Sequence, residues 1–432
     1  NQDDGTNVCI LAAALAFART GTVSYRDKVV AAITSIVNSG TYSGRALALA
    51  RELGTYAIAA DLVNLQAVNP ELETTFRAKL AELRSTPTTG GPIHLIESHE
   101  RRPNNWGNHA GASLIAVARY FELYGAPTVN VAASGAVRSA NVVTFTTTTP
   151  HRFVVWNVGD PVTVAGMTDT SFNGNFTITQ IVSATSFKYA QSAANATTDG
   201  GTVKLNATAE IQRRAQVFKG YLGDRSSYVG FIYASQGDHT WECSLGCAAT
   251  DAACHQATPV GINPLACQRD IGGTARTLDG VPPDDQRRVG TALWPIPVNC
   301  GTNCGYVWEG LQGTLAQAEM LSRAGFPTYT WQDAAICRAY AFRHNGTNFV
   351  GGVADIAKSD DTWQPHLYNT ASRCNRTDPA PTPSTPGKFV GFTDWTHQLS
   401  HRRGRRGGRD GRSCCGRRQR WGWRRCCSPQ AS

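Results

Sequence analysis

The 432-residue sequence predicts a mainly α-helical domain of packed helical hairpins, into which a small all-β module is inserted. Apolar residues recur at three and four positions through most of residues 7–124 and again from residue 207, which is the period of a helix with one buried face. Between residues 129 and 204 the pattern changes to alternating runs rich in Thr and Val, separated by turn residues. Such runs are typical of short strands.

Helices are predicted before and after the β module. Gly, Asn or Pro lies in the breaks between them, as expected at helix ends. The segments are 7–19, 25–38, 43–65, 72–85, a helix that starts near Pro103 and runs to about 124, and then 207–222, 306–324 and 331–344. Short links between successive helices favour hairpins packed side by side.

The β module is predicted to be β-sandwich-like and to occupy residues 126–206. Its clearest strands are the alternating runs at 141–147 and 175–182. Because helical periodicity continues on both sides, the module is interpreted as an insertion at a loop tip, where insertions are tolerated. The helical domain is therefore expected to be discontinuous, comprising residues 1–125 and 207–398.

The C-terminal segment 399–432 is rich in Arg, Gly and Cys and is expected to be disordered. From His401 onward it carries 11 Arg and one Asp, which leaves residues 1–400 with a net charge of about −1. The overall charge of +9 therefore gives no reason to expect nucleic-acid binding by the folded part. Two interpretations stay open for the segment itself: an RNA- or membrane-binding tail, or an artefact such as a frameshifted end.

Cysteine usage predicts disulfides and an exported protein, secreted or periplasmic. Five of the 13 Cys lie between Cys243 and Cys300, and Cys304 follows shortly after. Cytosolic proteins rarely collect loop cysteines in this way, although a zinc site is the alternative. The chain begins without Met or an apolar signal, which suggests a mature or trimmed product, and no long apolar run predicts a membrane span.

Polar side chains gather where the fifth helix begins. Asn105 and His109 are one helical turn apart, and Trp106 lies beside them on a similar face. Further amide, imidazole, phenol and guanidinium groups occur near residues 98–102, 228, 238–241, 284–288, 306–309 and 363–369. Paired carboxylates at a recognisable spacing do not occur.

This set of groups suits β-elimination from a uronic acid. The reaction removes the proton at C5, beside a carboxylate whose charge opposes carbanion formation, and Asn or Arg donors can offset that charge. A His or Tyr can act as the base, and a Tyr hydroxyl can protonate the leaving oxygen. No metal or other cofactor is required by this scheme.

Several segments together resemble the alginate-lyase-like secreted proteins of polysaccharide lyase family 38. The resemblance covers roughly residues 7–124 and 207–397. It rests on the runs Asn104-Asn105-Trp-Gly-Asn-His109-Ala-Gly-Ala-Ser, Tyr221-Leu-Gly-Asp-Arg-Ser-Ser-Tyr228, Gly261-Ile-Asn-Pro264, Asp284-Asp-Gln-Arg-Arg288, Tyr306-Val-Trp-Glu309-Gly-Leu-Gln-Gly and Gly387-Lys-Phe-Val-Gly391-Phe-Thr-Asp-Trp395.

The resemblance implies an incomplete α/α toroid whose tunnel or cleft binds a uronate polymer. It assigns Asn105 to neutralising the substrate carboxylate, His109 and Tyr306 to the base and acid roles, and Arg288 to assisting. The related toroidal alginate lyases of family 5 carry Asn-Asn-His in the equivalent role, whereas here the His is displaced to position 109. The remaining candidates would bind substrate: Asn104, Trp106, His99, Arg102, Tyr228, His239, Trp241, Arg287, Glu309 and His366.

Each candidate also has a purely structural explanation. Asn105 could cap its helix, and His109 could be a core histidine. Arg287 and Arg288 could pair with the two aspartates that precede them, and the tryptophans could belong to the core. These alternatives stay open at the level of sequence.

The sequence thus predicts a secreted, monomeric lyase acting on alginate, polymannuronate or glucuronan. Two other classes stay open. A toroidal glycoside hydrolase would use carboxylates such as Glu100, Asp285 or Glu309. A non-catalytic glycan-binding protein would act through the β module.

Overall fold

The computed structural model describes residues 5–91, 94–153, 159–233, 239–243, 258–289, 293–298 and 305–397. The Arg-rich segment 399–432 and the cysteines at 247, 254, 300 and 304 lie outside the described residues.

Thirteen α-helices are described, and the longer ones lie close to the predicted segments. Before the strands they are α1 Thr6–Thr20, α2 Val23–Asn38, α3 Ala46–Leu62, α4 Leu65–Val68, α5 Pro70–Ser85, α6 Leu95–Arg101 and α7 Asn105–Tyr124. After the strands they are α8 Ala207–Tyr221, α9 Pro283–Gln286, α10 Tyr306–Arg323, α11 Trp331–His344, α12 Pro365–Tyr368 and α13 Thr393–Thr396. The helix predicted over 43–65 ends earlier, because Asn64 adopts a left-handed φ of 54° and separates α3 from α4.

Helix α7 lies at the centre of the helical part and is buried along most of its length. It packs against α3, α6, α8 and α10. Small residues on α7 allow this close approach: a Cβ on Gly111 would lie 2.3 Å from Gln317 Oε1 of α10 and 2.4 Å from His99 Nδ1 of α6. The start of α7 is therefore reached by side chains from several helices at once.

The β region is a closed barrel. Its strands are β1 Thr128–Ser139, β2 Val142–Thr147, β3 Pro161–Met167, β4 Gly174–Ser183, β5 Ser186–Ala190, β6 Ala196–Thr198 and β7 Gly200–Leu205. Antiparallel pairing runs in the order β1, β2, β5, β4, β3, β7 and back to β1, and β6 adds to β1 as an extra strand. Phe145, Phe187 and Tyr189 are fully buried within it. A separate two-stranded sheet pairs β8 Gln268–Asp270 with β9 Ala275–Thr277.

The predicted fold class, a mainly α toroid with a small β-sandwich-like module, is wrong. The described residues are 48% helical and contain a closed six-stranded antiparallel barrel with one added strand. Alternating residues identify strands, but the closure depends on β1 pairing with both β2 and β7, which no local pattern encodes. In the helical part, moreover, the buried helix α7 occupies the centre.

A buried ionic network joins the barrel to the helices. Arg84 of α5 forms a bidentate pair with Asp160, at 2.7 and 2.9 Å, just before β3. The same guanidinium contacts Glu210 of α8 at 2.9 Å. The other members are Arg213 and Arg214 of α8 and Glu100 of α6. Burial by itself would raise the pKa of Glu210. The nearby positive charges of Arg214, Arg84 and Arg213 lower it instead.

Among the described residues, the disulfide Cys337–Cys374 joins α11 to the segment after α12. The prediction that the protein contains disulfides is confirmed by this bond, which lies outside the cysteine-rich stretch that suggested it. Cys243 and Cys267 from that stretch are buried. No helix in the described ranges is long and apolar enough to cross a membrane.

Candidate functional site

The start of α7 is held by the short helix α9, which lies 180 residues later in the chain. Asn104 is the helix cap: its Oδ1 accepts the Trp106 N–H at 3.0 Å, and its Nδ2 donates to Asp284 Oδ2 at 2.7 Å. The next backbone N–H, from Asn105, donates to Asp285 Oδ1 at 3.2 Å. Two of the N–H groups that a helix leaves without internal partners are thereby satisfied.

The side chain of Asn105 is free of the capping role and points toward α10. Its Nδ2 donates to Glu309 Oε2 over a long 3.4 Å. Its Oδ1 is buried and has no hydrogen-bond partner among the described residues. An amide that is fully buried and only weakly engaged can exchange its partner for a ligand at little cost.

His109 lies one turn further along α7 and is completely buried. Within the described part of the chain neither ring nitrogen has a hydrogen-bond partner. Its ring lies 6.4 Å from that of Phe389, centroid to centroid. Burial, and next the positive charges of Arg51 and Lys388, hold the pKa of His109 well below its usual value. The imidazole is therefore neutral, and one of its two nitrogens can accept a proton.

Two cations converge on the carboxylate of Glu309, on the first turn of α10. Arg51, which is buried in the first half of α3, forms one ion pair with it. Lys388 forms the other at 3.0 Å, and its Nζ also lies 3.8 Å from Asp360. A guanidinium, an ammonium and the Asn105 amide thus surround one carboxylate.

Asp285 contributes a carboxyl group that is protonated at neutral pH. Burial raises its pKa to about 8, against the opposing effect of Arg288, and the charge of Asp284 adds to the rise. Its Oδ2 has no partner among the described residues. Gly310 of α10 makes room for it, since a Cβ there would lie 2.3 Å from that oxygen.

Tyr306 begins α10, one turn before Glu309, and Arg288 packs on it. The Arg288 guanidinium carbon lies 4.4 Å from the centroid of the Tyr306 ring. The start of α7, the segment 284–288 and the first turn of α10 therefore meet in one place. The elements that carry the four residues predicted to be catalytic, Asn105, His109, Tyr306 and Arg288, are therefore neighbours.

Among the residues predicted to bind substrate, Asn104 and Glu309 belong to this cluster. Arg287 is tied to Asp284 through an Nε–Oδ1 contact of 2.6 Å. Trp106 is partly exposed and lies under Arg45, whose guanidinium carbon is 5.9 Å from the indole centroid. Arg102 follows the end of α6 and is partly exposed.

Other predicted substrate-binding residues have structural contacts elsewhere. His99 packs behind α7, where its Nδ1 lies 3.2 Å from the Gly107 carbonyl and burial lowers its pKa to about 3. The Tyr228 hydroxyl donates to the Glu100 carbonyl at 2.6 Å. His239 pairs with Glu242 at 2.7 Å. Their partners are main-chain carbonyls or a carboxylate, and none of these groups belongs to Asn105 or Glu309.

The last two candidates are also distant from the cluster. Trp241 belongs to a second apolar core together with Cys243, Cys267 and Phe342. The His366 Nε2 contacts the Pro381 carbonyl at 2.6 Å at an exposed position. Glu100, the first of the three hydrolase carboxylates, is committed to the Arg213 and Arg214 network.

Sequence reasoning missed three charged residues of the cluster: Arg51, Lys388 and Asp360. An Arg in the first half of α3, which is mainly apolar, was a signal, because a buried cation requires a partner. Lys388 lay within one of the quoted motifs, but its partner Glu309 is distant in sequence. No group of three or more His, Cys, Asp or Glu side chains in the described ranges could hold a metal ion.

Comparisons with known proteins add no identification. No protein-family model matches the chain, and neither a curated protein nor a solved structure matches it.

Proposed function

We propose that this protein is a polysaccharide lyase that cleaves a uronic-acid polymer by β-elimination at the cluster around Asn105. The observation that carries the proposal is the convergence of a buried amide, a neutral imidazole and a phenol with three cations, Arg51, Lys388 and Arg288. Because Asp285 is protonated at neutral pH, the positive charge of these cations is only partly neutralised by the nearby carboxylates. Such a site favours a substrate that carries a carboxylate.

In the proposed reaction the cations and the Asn105 amide bind the carboxylate next to C5 and offset the charge that develops there. The neutral imidazole of His109 takes the C5 proton. The electron pair of that C–H bond forms the C4–C5 double bond, and the bond between C4 and the glycosidic oxygen breaks. The Tyr306 hydroxyl protonates the leaving oxygen. The products are a saturated chain and a chain with a 4,5-unsaturated end.

The disulfide and the reaction class together support an extracytosolic location. Disulfides persist where the environment is oxidising, as outside the cytosol. A polymer too large to enter a cell is degraded there. We therefore propose secretion or export to the periplasm, with alginate, polymannuronate or glucuronan as the substrate.

The direct test is incubation of the full-length protein with each of these three polymers while the ultraviolet absorbance of unsaturated ends is followed. Absorbance should rise with at least one polymer, and Tyr306→Phe should abolish the rise without changing the circular dichroism spectrum. A folded protein that gives no increase in absorbance with any of the three polymers would refute the proposal. Full activity in Tyr306→Phe would remove Tyr306 from the acid role.

A glycoside hydrolase is the second candidate, and Asp285 favours it. A carboxyl with a pKa of about 8 could serve as a general acid, with the ion-paired Glu309 carboxylate as its counterpart. Hydrolysis in ¹⁸O-labelled water would place the label in the new reducing end and would give no unsaturated product. Elimination incorporates no label, so one mass spectrum separates the two reactions.

A further inference from the structure

The charged cluster points to a specificity-determining residue that the sequence did not suggest. We infer that Lys388 binds the carboxylate of an acidic sugar residue, and that it leaves Glu309 to do so. The inference rests on the proposed function, because it assigns the substrate class of the same site, but it concerns binding and is tested separately from turnover.

The backbone around Lys388 is fixed by contacts with three helices. The Lys388 N–H donates to Gln312 Oε1 of α10 at 3.0 Å, and its carbonyl accepts from Asn7 Nδ2 of α1 at 3.1 Å. The next carbonyl, of Phe389, accepts from Thr55 Oγ1 of α3 at 2.5 Å. The side chain of Phe389 is fully buried. The ammonium group therefore moves on a flexible stem while its point of attachment stays in place.

Of the two cations paired with Glu309, Lys388 is the one that solvent and a ligand can reach. Its side chain is 33% exposed, whereas Glu309 is 13% exposed and Arg51 only 3%. Arg51 can keep neutralising Glu309 when Lys388 departs, so exchange leaves no buried carboxylate without a cation. The exchange therefore costs one partly exposed ion pair and forms another with the ligand.

The groups around Glu309 are those that a uronate carboxylate needs. A guanidinium, an ammonium and an amide donate to this one side chain, and charge-assisted hydrogen bonds of this kind favour carboxylates. Asp360, the other acid beside Lys388, has a pKa raised chiefly by its burial. It therefore competes less strongly for the ammonium than an ordinary surface aspartate would.

The experiment is isothermal titration of the full-length protein with a mannuronate tetrasaccharide and with its carboxyl-reduced, neutral counterpart. Wild-type protein should bind the acidic sugar more tightly. Lys388→Gln should weaken acidic-sugar binding by roughly tenfold or more and leave neutral-sugar binding unchanged. Lys388→Arg, which retains the charge, should restore most of the difference.

Glu309→Gln supplies a test in the opposite direction. If the Glu309 carboxylate competes for Lys388, this variant should bind the acidic tetrasaccharide more tightly than wild type does, and the gain should vanish in the double variant with Lys388→Gln. A purely structural Lys388 predicts instead that Lys388→Gln lowers thermal stability and leaves the acidic preference intact. That result would overturn the inference.

The outcomes separate this inference from the proposed function. Lys388-dependent preference for the acidic sugar, without any unsaturated product from polymers, would retain the binding role and reject the lyase. Unsaturated product with an unchanged KM in Lys388→Gln would retain the lyase and reject the binding role. A wild-type protein that binds neither sugar and releases no product would reject both.

Discussion

Two groups of buried charges in this molecule differ in how completely their members are paired. In the network of Arg84, Asp160, Glu210 and its three neighbours, every side chain contacts at least one of opposite charge. In the cluster around Asn105, by contrast, His109 has no hydrogen-bond partner among the described residues, and an oxygen of Asp285 has none either.

This difference distinguishes buried polar groups that stabilise the fold from buried polar groups that are available to bind a ligand. The network has three cations and three anions from α5, α6, α8 and the segment before β3, so its charges balance, although atoms such as Glu100 Oε2 and Arg214 Nη1 have no hydrogen-bond partner among the described residues. The cluster instead buries an imidazole and a carboxyl that are both shifted toward their neutral forms, and burial of such polar groups costs stability. Such cost is typical of sites that bind or react.

The largest expected effect comes from breaking the network with Glu210→Gln. The change leaves Arg84 and Arg214 short of a negative partner in a fully buried place. Removing one member of a buried ion pair typically costs about 3–5 kcal/mol of unfolding free energy. Urea unfolding of the two proteins measures this cost. A loss below about 1 kcal/mol would show that the network is no tighter than a surface pair.

Asn105→Ala should act on the reaction instead. Loss of one preorganised donor lowers turnover by about 10²–10³-fold in comparable sites. The matched control is Asn206→Ala, which removes a cap whose Oδ1 accepts the Ala209 N–H of α8 at 3.1 Å. That control should lose about 1 kcal/mol of stability and keep its rate. Equal rates for Asn105→Ala and wild type would place Asn105 outside the reaction.

Asp285→Asn should change the pH dependence of stability. The folded pKa of about 8 lies above the value of about 3.9 for an unfolded Asp, so the folded protein keeps a proton that the unfolded chain releases. The stability that this proton contributes is fully present below about pH 4 and is lost as the pH rises to about 8.

An asparagine at 285 retains an acceptor for the Asn105 N–H and cannot ionise. Relative to wild type, Asp285→Asn should therefore gain stability as the pH increases through this window, by at most about 1.4 kcal/mol per pH unit. Thermal unfolding in a series of buffers from pH 4 to pH 9 measures the difference. Parallel curves for the two proteins would show that the Asp285 carboxyl ionises normally.

The smallest effect should come from Asp27→Asn. Its partner Arg26 lies 2.9 Å away, but the two side chains are 59% and 29% exposed. Exposed pairs are screened by water and salt, so the change should alter stability by about 0–1 kcal/mol. The same urea titration provides the measurement, and a loss as large as that of Glu210→Gln would contradict the distinction between buried and exposed pairs.

The sequence predicted local structure better than it predicted the fold. Helices such as α5 and α10 are encoded by their own periodicity and end residues, and the strands β2 and β4 by alternation. Barrel closure, however, depends on β1 pairing with two strands that are distant in sequence. The central position of α7 likewise depends on which helices surround it, and its composition predicted only that it is buried.

In the candidate site, too, the features within one helix could be predicted from the sequence, and the contacts between distant segments could not. The spacing of Asn105 and His109 could be evaluated within one helix, because residues one turn apart share a face. Arg51 and Lys388 could not be assigned, since each meets Glu309 only after three remote segments have packed together. The alternative role of Asn105 as a helix cap was also decided by the fold, which gives that role to Asn104.

The way the chain enters and leaves the barrel has a consequence for how this protein could have been assembled. Thr128 at the start of β1 pairs directly with Lys204 at the end of β7, so both ends of the barrel emerge side by side between α7 and α8. A segment with such adjacent ends can be gained or lost as a cassette, and a linker of a few residues could replace it. Excision would also remove Asp160 and leave Arg84 with one partner fewer. In an ancestor without the barrel, Arg84 would therefore have depended on Glu210 for its negative partner.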